Sequence, residues 1–232
     1  MKKFAKVLLG TVCMVSMLSC VACGGGGGGK SEPTGEEVTK EVWAKEMQSF
    51  CLADKMNLAL SETVEYPTET QSVSGIFQFA DGKIYNEGKS QGMTMKEYFG
   101  QVDGVHYSWQ WTSYDKVWSS YQEPWNEEVS YCSGAGALMF TEMLSWEEIC
   151  SVDGATVTYL DYYDEATFQD GEYVYNGEEF TLKVKFAEGK LYSISSTRER
   201  QGFNGPLMDT LKFTVVEKDF TIGDLPELNE GE

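Results

Sequence analysis

Phe79-Ala-Asp-Gly-Lys-Ile-Tyr85 is the stretch that decides the fold, and Phe186-Ala-Glu-Gly-Lys-Leu-Tyr192 nearly repeats it. In the first stretch, Asp81-Gly82 separates two alternating runs of residues. Asp-Gly between such runs is a strong signal for a β-hairpin, because both turn residues need positive φ. Two copies are too few for a repeat protein, so we interpret them as one turn used twice in a long antiparallel meander.

Segments with the same two-residue period surround the hairpins and predict further strands. An amphipathic helix precedes them, with Thr39 as its N-cap and Trp43, Met47 and Phe50 on its apolar stripe. Strands are predicted at 58–64, 76–79, 105–113, 116–121, 155–162, 172–175, 178–186, 190–197 and 210–220. A helical insert is predicted at 136–144 and 145–150, where Ser145 and Glu148 have capping-box spacing.

The first 23 residues have the pattern of a secretory signal peptide. Lys2, Lys3 and Lys6 precede an apolar stretch that is shorter than the roughly 20 residues needed to span a bilayer. The end of this leader resembles a bacterial lipoprotein signal, in which a small residue precedes the cysteine that receives lipid. Ala22 precedes Cys23 in this way, so Cys23 is the predicted lipidation site and Cys20 is the competing acceptor.

A glycine-rich segment follows the leader and predicts a flexible tether at 24–36. A linker of about 12 such residues reaches roughly 20 Å, which would hold the domain just above the membrane. We therefore predict three parts: a signal peptide at 1–23, the tether, and one β domain at 37–232. The predicted location is extracytoplasmic, with the membrane as a partner through the N-terminal lipid.

The charge of the chain excludes nucleic acid as a partner. Removing the three leader lysines leaves 15 basic and 37 acidic residues, a net charge of −22. Such a surface repels polyphosphate backbones, whose binding depends on clustered Lys and Arg side chains. The oligomeric state has no signal in the sequence.

Three cysteines lie beyond the leader, at Cys51, Cys132 and Cys150. At most one disulfide can form among three thiols, and outside the cytosol the redox conditions allow such a bond. The pair Cys132 and Cys150 is the preferred combination, although three free thiols would give the same sequence. Their spacing does not fit a metal site.

The order of predicted elements resembles the LolA-like lipoprotein-carrier superfamily and its lipoprotein relatives in Gram-positive bacteria. The order is a helix, an antiparallel meander, a helical insert, and a last strand that runs into Phe220-Thr-Ile-Gly-Asp-Leu-Pro226. The resemblance spans about residues 37 to 226 and rests on no diagnostic binding motif. It implies an α+β, mainly antiparallel fold, in which an incomplete curved β-barrel carries the helices on its concave face. It also implies that apolar ligands such as acyl chains bind there.

The residue types of common active sites are present but are not arranged as in a known enzyme. His106 is the only histidine, and Ser90 lies in a G-x-S-x-G match that lacks the strand-to-helix turn of a nucleophile elbow. The acidic residues at 161–172 lack the spacing of a calcium loop. We therefore predict a non-enzymatic protein with no catalytic residue, cofactor or metal.

The most informative segment for function contains the aromatic residues Tyr107, Trp109, Trp111 and Trp118. Strand alternation places the first three on one face of the sheet. One interpretation is that the rings form core under the helices. The other is that these four residues line a half-barrel cavity, because large rings with one polar atom suit amphipathic ligands.

Two function hypotheses follow from this segment. The first is a tethered protein that binds a lipid, a lipopeptide or another amphipathic ligand in the half-barrel cavity, with the helix stripe as a lid. The second is an envelope interaction module that binds glycan or protein through an outer aromatic and acidic surface. The second hypothesis predicts that Trp109 and Trp111 are exposed to solvent.

Overall fold

A computed structural model describes residues 32–51, 53–122, 152–153, 156–157, 159–202 and 205–229. The leader at 1–23, the predicted insert at 136–150 and the pair Cys132 and Cys150 lie outside the described residues. Two helices are described, α1 (Lys40–Cys51) and α2 (Tyr159–Glu165). The strands are β1 (Lys55–Glu65), β2 (Thr70–Ala80), β3 (Lys83–Ser90), β4 (Met93–Val102), β5 (Val105–Thr112), β6 (Trp118–Gln122), β7 (Val152–Asp153), β8 (Thr156–Val157), β9 (Thr167–Gln169), β10 (Glu172–Asn176), β11 (Phe180–Ala187), β12 (Lys190–Gly202) and β13 (Gly205–Val215).

Eleven of these strands form one antiparallel sheet that does not close into a barrel. The spatial order is β6-β5-β4-β3-β2-β1-β13-β12-β11-β10-β9, and β7 and β8 pair separately. Each strand therefore pairs with its neighbour in sequence, except where β1 pairs with β13 in the middle of the sheet. The predicted fold class, a mainly antiparallel open sheet with an N-terminal helix, is confirmed.

The two hairpins that decide the fold form as predicted. Asp81 and Gly82 have φ values of 53° and 68°, and they connect β2 to β3. Glu188 and Gly189 have φ values of 54° and 73°, and they connect β11 to β12. Further acid–glycine or glutamine–glycine turns with positive φ occur at Gln91-Gly92, Asp103-Gly104 and Asp170-Gly171.

The predicted N-terminal helix is also confirmed. The carbonyl of Thr39 accepts a hydrogen bond from the Trp43 amide at 2.9 Å, and its hydroxyl accepts a longer one from Val42 at 3.4 Å. The stripe residues Trp43 and Met47 are fully buried against the sheet. Trp43 packs its ring against Tyr163, Tyr173 and Phe186, at centroid distances of 5.5, 5.1 and 5.4 Å.

Two predicted strands were wrong in part. In the segment predicted as a strand at 155–162, the described residues are the two of β8 and then those of α2, which begins at Tyr159. The rings of Tyr162 and Tyr163 pack on Tyr175 and Trp43, and this tertiary packing overrides the strand preference of an aromatic run. The strand predicted at 210–220 ends at Val215, and the chain leaves the sheet after that residue.

The sheet has two faces, which pairing and alternation distinguish. Residues directly opposite each other on paired strands point to the same side, and successive residues alternate. We call the side that contacts α1 the helix face. It contains the main core cluster, formed from α1 and eight strands: Trp43, Met47, Phe50, Met56, Leu58, Phe77, Phe79, Ile84, Phe99, Tyr173, Leu182, Val184, Phe186, Leu191, Ile194, Leu211 and Phe213. We call the other side the back face.

Both terminal segments of the described chain lie across the back face. At the N-terminal end, the Glu32 carboxylate contacts the ammonium groups of Lys185 at 3.2 Å and Lys212 at 2.6 Å. The Glu36 amide donates to the Phe186 carbonyl at 3.0 Å. Residues 32–36 of the predicted tether therefore lie against the sheet.

The C-terminal segment 216–229, which we call the C-terminal strap, crosses the other half of the back face. Near its start, the Val216 amide donates to the Asn57 carbonyl at 2.9 Å. At its end, the Asn229 amide donates to the Ser120 hydroxyl at 2.9 Å. Because Asn57 lies in β1 and Ser120 in β6, the strap crosses the sheet from its centre to the β6 end.

A close contact between Gly100 and Leu225 holds the middle of the strap. A Cβ atom at position 100 would lie 2.8 Å from Leu225 Cδ1. We predict that Gly100→Ala displaces Leu225 and loosens the strap while the sheet stays folded. Hydrogen exchange at 219–229 should then rise at least severalfold, and the double variant Gly100→Ala with Leu225→Ala should restore much of the protection. Unchanged exchange in Gly100→Ala would contradict this contact.

Candidate functional site

The aromatic residues singled out in the sequence lie on the back face and not under α1. Register connects Leu58 of the core to Phe77, and it connects Phe99 of the core to Ser108 in β5. Ser108 and Gln110 therefore point to the helix face, while their neighbours in β5 point to the back face. The C-terminal strap, and not the helix stripe, covers this side of the sheet.

The back-face rings form a continuous set across four strands, which we call the aromatic ladder: Tyr85, Tyr98, Tyr107, Trp109, Trp111 and Trp118. Ring centroids of Tyr98 and Trp118 are 5.3 Å apart, with an interplanar angle of 54°. Trp111 lies 6.5 Å from Trp118, and the Lys96 ammonium lies 5.3 Å from the centre of the Trp111 ring.

The four predicted ligand-lining residues differ in exposure. Trp109 has no exposed surface, and its Nε1 atom is buried with no hydrogen-bond partner among the described residues. Tyr107, Trp111 and Trp118 are half-buried. Trp109 is thus buried within the back face. The interaction-module hypothesis predicted that Trp109 is exposed to solvent, and this prediction is wrong.

An open cleft of about 600 Å³ lies where the ladder meets the end of the strap. Its residues are Tyr98, Val117, Trp118, Asp224, Pro226, Glu227, Leu228 and Asn229. We call it the aromatic cleft. One wall has two rings of the ladder, and the other wall is the strap with both apolar and acidic side chains. Burial raises the pKa of the Tyr98 phenol, so this wall stays uncharged at neutral pH.

Of the predicted ligand-lining residues, only Trp118 contributes to this cleft. Tyr107 contacts Trp109 at a ring distance of 5.8 Å and lies outside the cleft lining. Tyr98 was missed in the sequence analysis, although a signal was available. It sits in an alternating segment beside Phe99, and a strand there would pair with the aromatic segment across the Asp103-Gly104 turn.

A second group of polar residues is buried on the helix face, away from α1. Glu62 of β1 and Asp209 of β13 are only 7% and 6% exposed. Arg200 Nε contacts Asp209 Oδ2 at 3.3 Å, and Arg198 lies directly opposite Asp209 in the register of β12 and β13. Asp209 Oδ1 is buried without a hydrogen-bond partner in the part of the chain that the structure describes.

Burial sets the protonation of these two carboxyl groups. It raises the pKa of Glu62 to about 7, and the nearby charge of Asp209 adds to the rise while Arg200 opposes it. The pKa of Asp209 is also raised by burial, against the attraction of Arg200 and Arg198. The sequence contained a signal for this cluster, because Glu62 has the same strand parity as Leu58, Leu60 and Val64 and therefore points into the core.

The residues considered for catalysis lie in different places. The Ser90 hydroxyl donates to the Ser72 carbonyl at 3.3 Å in the β2–β3 region. His106 contacts the Gln101 side chain across β4 and β5. Within the described ranges, no group of three His, Cys, Asp or Glu side chains is placed to hold a metal ion. In the acidic segment, Asp164 pairs with Lys40 of α1.

None of the helices that the structure describes has the length and apolar character of a bilayer-spanning segment. No protein-family model matches the chain, and no curated protein matches its sequence significantly.

Two solved structures are similar to this chain at a distance. One is a DUF1329 family protein from Desulfovibrio piger, with 9% identity and a TM-score of 0.29 over 75% of this chain and 89% of that one. The other is a putative outer membrane lipoprotein-sorting protein domain from Vibrio parahaemolyticus, with 8% identity and a TM-score of 0.27 over 77% and 90%. At these TM-scores neither structure shows a common family with this chain.

Proposed function

We propose that this protein is a membrane-tethered, extracytoplasmic binding protein that holds an amphipathic ligand in the aromatic cleft and catalyses no reaction. The observation that carries the proposal is the pair of rings at Tyr98 and Trp118, which face an open volume of about 600 Å³. Small-molecule sites have volumes of this order and combine apolar rings with a few polar groups.

The composition of the cleft favours an amphipathic ligand over a purely apolar one. Trp118 on one wall and Pro226 and Leu228 on the strap offer apolar surface. Asp224 and Asn229, also on the strap, offer polar atoms. Asp224 and Asn229 are exposed to solvent, so they can contact a polar part of a ligand, which a purely apolar ligand lacks. A ligand with an apolar part and a polar part satisfies both kinds of surface.

The tether supports a function near the membrane surface. Cys23, the predicted lipidation site, precedes Glu32 by nine residues in the sequence. A flexible chain of nine residues has a root-mean-square reach of roughly 17 Å. Since Lys185 and Lys212 hold Glu32 on the sheet, the lipid anchor would keep the domain within a short distance of the bilayer.

A tryptophan in the cleft gives a direct test. N-phenyl-1-naphthylamine, an uncharged amphipathic dye, should bind with an increase in fluorescence. Trp118→Ala should weaken this binding about tenfold, because a ring in contact with a ligand contributes on the order of 1–2 kcal/mol. The matched control is Tyr114→Ala, which removes an 87% exposed ring from the β5–β6 loop outside the cleft. Equal dye binding by wild type and Trp118→Ala would count against the proposal.

The second candidate function is an envelope interaction module, and one observation favours it. Tyr114, Val117 and Tyr121 are 87%, 63% and 53% exposed, and all three lie in or beside the β5–β6 hairpin. Exposed rings grouped at one end of a sheet are a common feature of protein and glycan contacts. In the dye experiment, this function predicts no loss on Trp118→Ala, whereas pull-down of an envelope component should fail with Tyr114→Ala.

A further inference from the structure

We propose that the aromatic cleft binds the quaternary ammonium group of its ligand. This inference rests on the proposed function and names the chemical class that the cleft selects. It follows from three features of the cleft: converging aromatic rings, unpaired carboxylates, and apolar contacts beside both.

The rings provide the first feature. Tyr98 and Trp118 have centroids 5.3 Å apart and an angle of 54° between their planes, so they meet at an open angle rather than in a flat stack. A cation is attracted to the face of a Trp or Tyr ring when it lies within about 6 Å of the centroid. Since both rings line the cleft and their centroids are close together, one cation in the cleft can lie within this distance of both.

The carboxylates provide the second feature. Asp224 and Glu227 line the same cleft, and among the residues that the structure describes no lysine, arginine or histidine side chain does so. In the described part of the chain, neither carboxylate forms an ion pair. Both are exposed, so each contributes modestly to binding. The large negative charge of the whole protein acts in the same direction, because it raises the local concentration of cations.

The apolar contacts decide which kind of cation fits. A primary ammonium is compact and strongly hydrated, and a Ca²⁺ or Mg²⁺ ion takes about six or more oxygen ligands. Neither gains from contact with Val117, Pro226 or Leu228. A quaternary ammonium carries its charge on methyl groups that can contact rings and aliphatic side chains together, so its desolvation is less costly. The cleft volume exceeds that of this group and leaves room for the chain attached to it.

Competition between matched small molecules tests the inference. Choline should displace N-phenyl-1-naphthylamine from the full-length protein, and 3,3-dimethyl-1-butanol, its uncharged carbon analogue of the same shape, should do so about tenfold less well. N-acetyl-lysine methylamide, a primary ammonium, should also compete poorly. The double variant Asp224→Asn, Glu227→Gln should reduce the preference for choline over the butanol severalfold. The control Glu178→Gln, Glu179→Gln removes two exposed charges in the β10–β11 loop and should not change it.

Each result has a distinct meaning. Equal competition by choline and the butanol overturns the cation inference while the aromatic cleft keeps its role in binding. Stronger competition by the lysine derivative also overturns it, because the cleft would then select a primary ammonium. If Trp118→Ala binds the dye as well as wild type does, the proposed function fails. Calorimetry with choline alone then decides the inference, and no heat of binding at millimolar choline overturns it.

Discussion

Replacing Trp43 with alanine should lower the free energy of unfolding by about 3–5 kcal/mol, the largest effect we expect from any single side chain. Trp43 is 1% exposed and contacts three rings from three separate elements: Tyr163 of α2, Tyr173 of β10 and Phe186 of β11. Its removal leaves a cavity at the point where both helices meet the sheet. Tyr173 and Phe186 are held in paired strands of the sheet, so these two rings cannot move far into that cavity.

Urea unfolding followed by far-ultraviolet circular dichroism measures this effect. Tyr114→Ala is the control, because it removes an exposed ring of comparable size, and it should change the unfolding free energy by less than about 0.5 kcal/mol. Trp43→Phe keeps part of the packing and should fall between wild type and alanine, which preserves the test if the alanine variant does not fold. A loss below 1 kcal/mol for Trp43→Ala would show that α1 is not packed on the sheet as described.

The second large effect concerns pH and depends on Glu62. Burial raises the pKa of this carboxyl to about 7 in the folded protein, whereas in the unfolded chain it stays near its ordinary value of 4.5. The folded state therefore holds the proton more tightly between these two values. It follows that the free energy of unfolding falls as pH rises from about 4.5 to above 7, by roughly 3 kcal/mol from this group. Asp209, whose pKa is also raised, acts in the same direction.

Glu62→Gln isolates this contribution, because glutamine resembles the protonated carboxyl at every pH. The variant should match wild type near pH 4.5 and should be more stable by about 2–3 kcal/mol at pH 8. Glu179→Gln, at an exposed loop position, is the control for the loss of one negative charge. Parallel stability curves for Glu62→Gln and wild type between pH 5 and 8 would show that Glu62 is not buried as an ionisable group.

Local sequence signals predicted the local structure well. Asp81-Gly82 and Glu188-Gly189 required positive φ, and both form hairpin turns. The stripe of Trp43 and Met47 required a buried helix, and α1 is buried along it. Alternation in β5 also predicted correctly that Tyr107, Trp109 and Trp111 share one face, because the period of a strand depends on its backbone alone.

The sequence alone does not indicate which face of the sheet carries the aromatic residues of β5 and which face carries the helix. Alternation says that two residues share a side but does not say which side carries the helix. That depends on the pairing of β1 with β13, and on a strap whose contacts at Asn57 and Ser120 link residues far apart in the chain. Long-range contacts also explain why α2 was predicted as a strand, because the ring contacts of Tyr162 and Tyr163 override the local strand preference.

The pairing of the first strand with the last has a consequence for the order in which the protein assembles. Every other strand of the large sheet pairs with a neighbour in sequence, so hairpins can form as soon as each emerges from a ribosome or a translocation pore. The pairing of β1 with β13, which places Leu58 opposite Val215, cannot form until the final strand has been released. Closing a loop of that length is slow and entropically costly. Until then the chain consists of two half-sheets with exposed inner edges, which makes late folding intermediates the ones most in need of protection from aggregation.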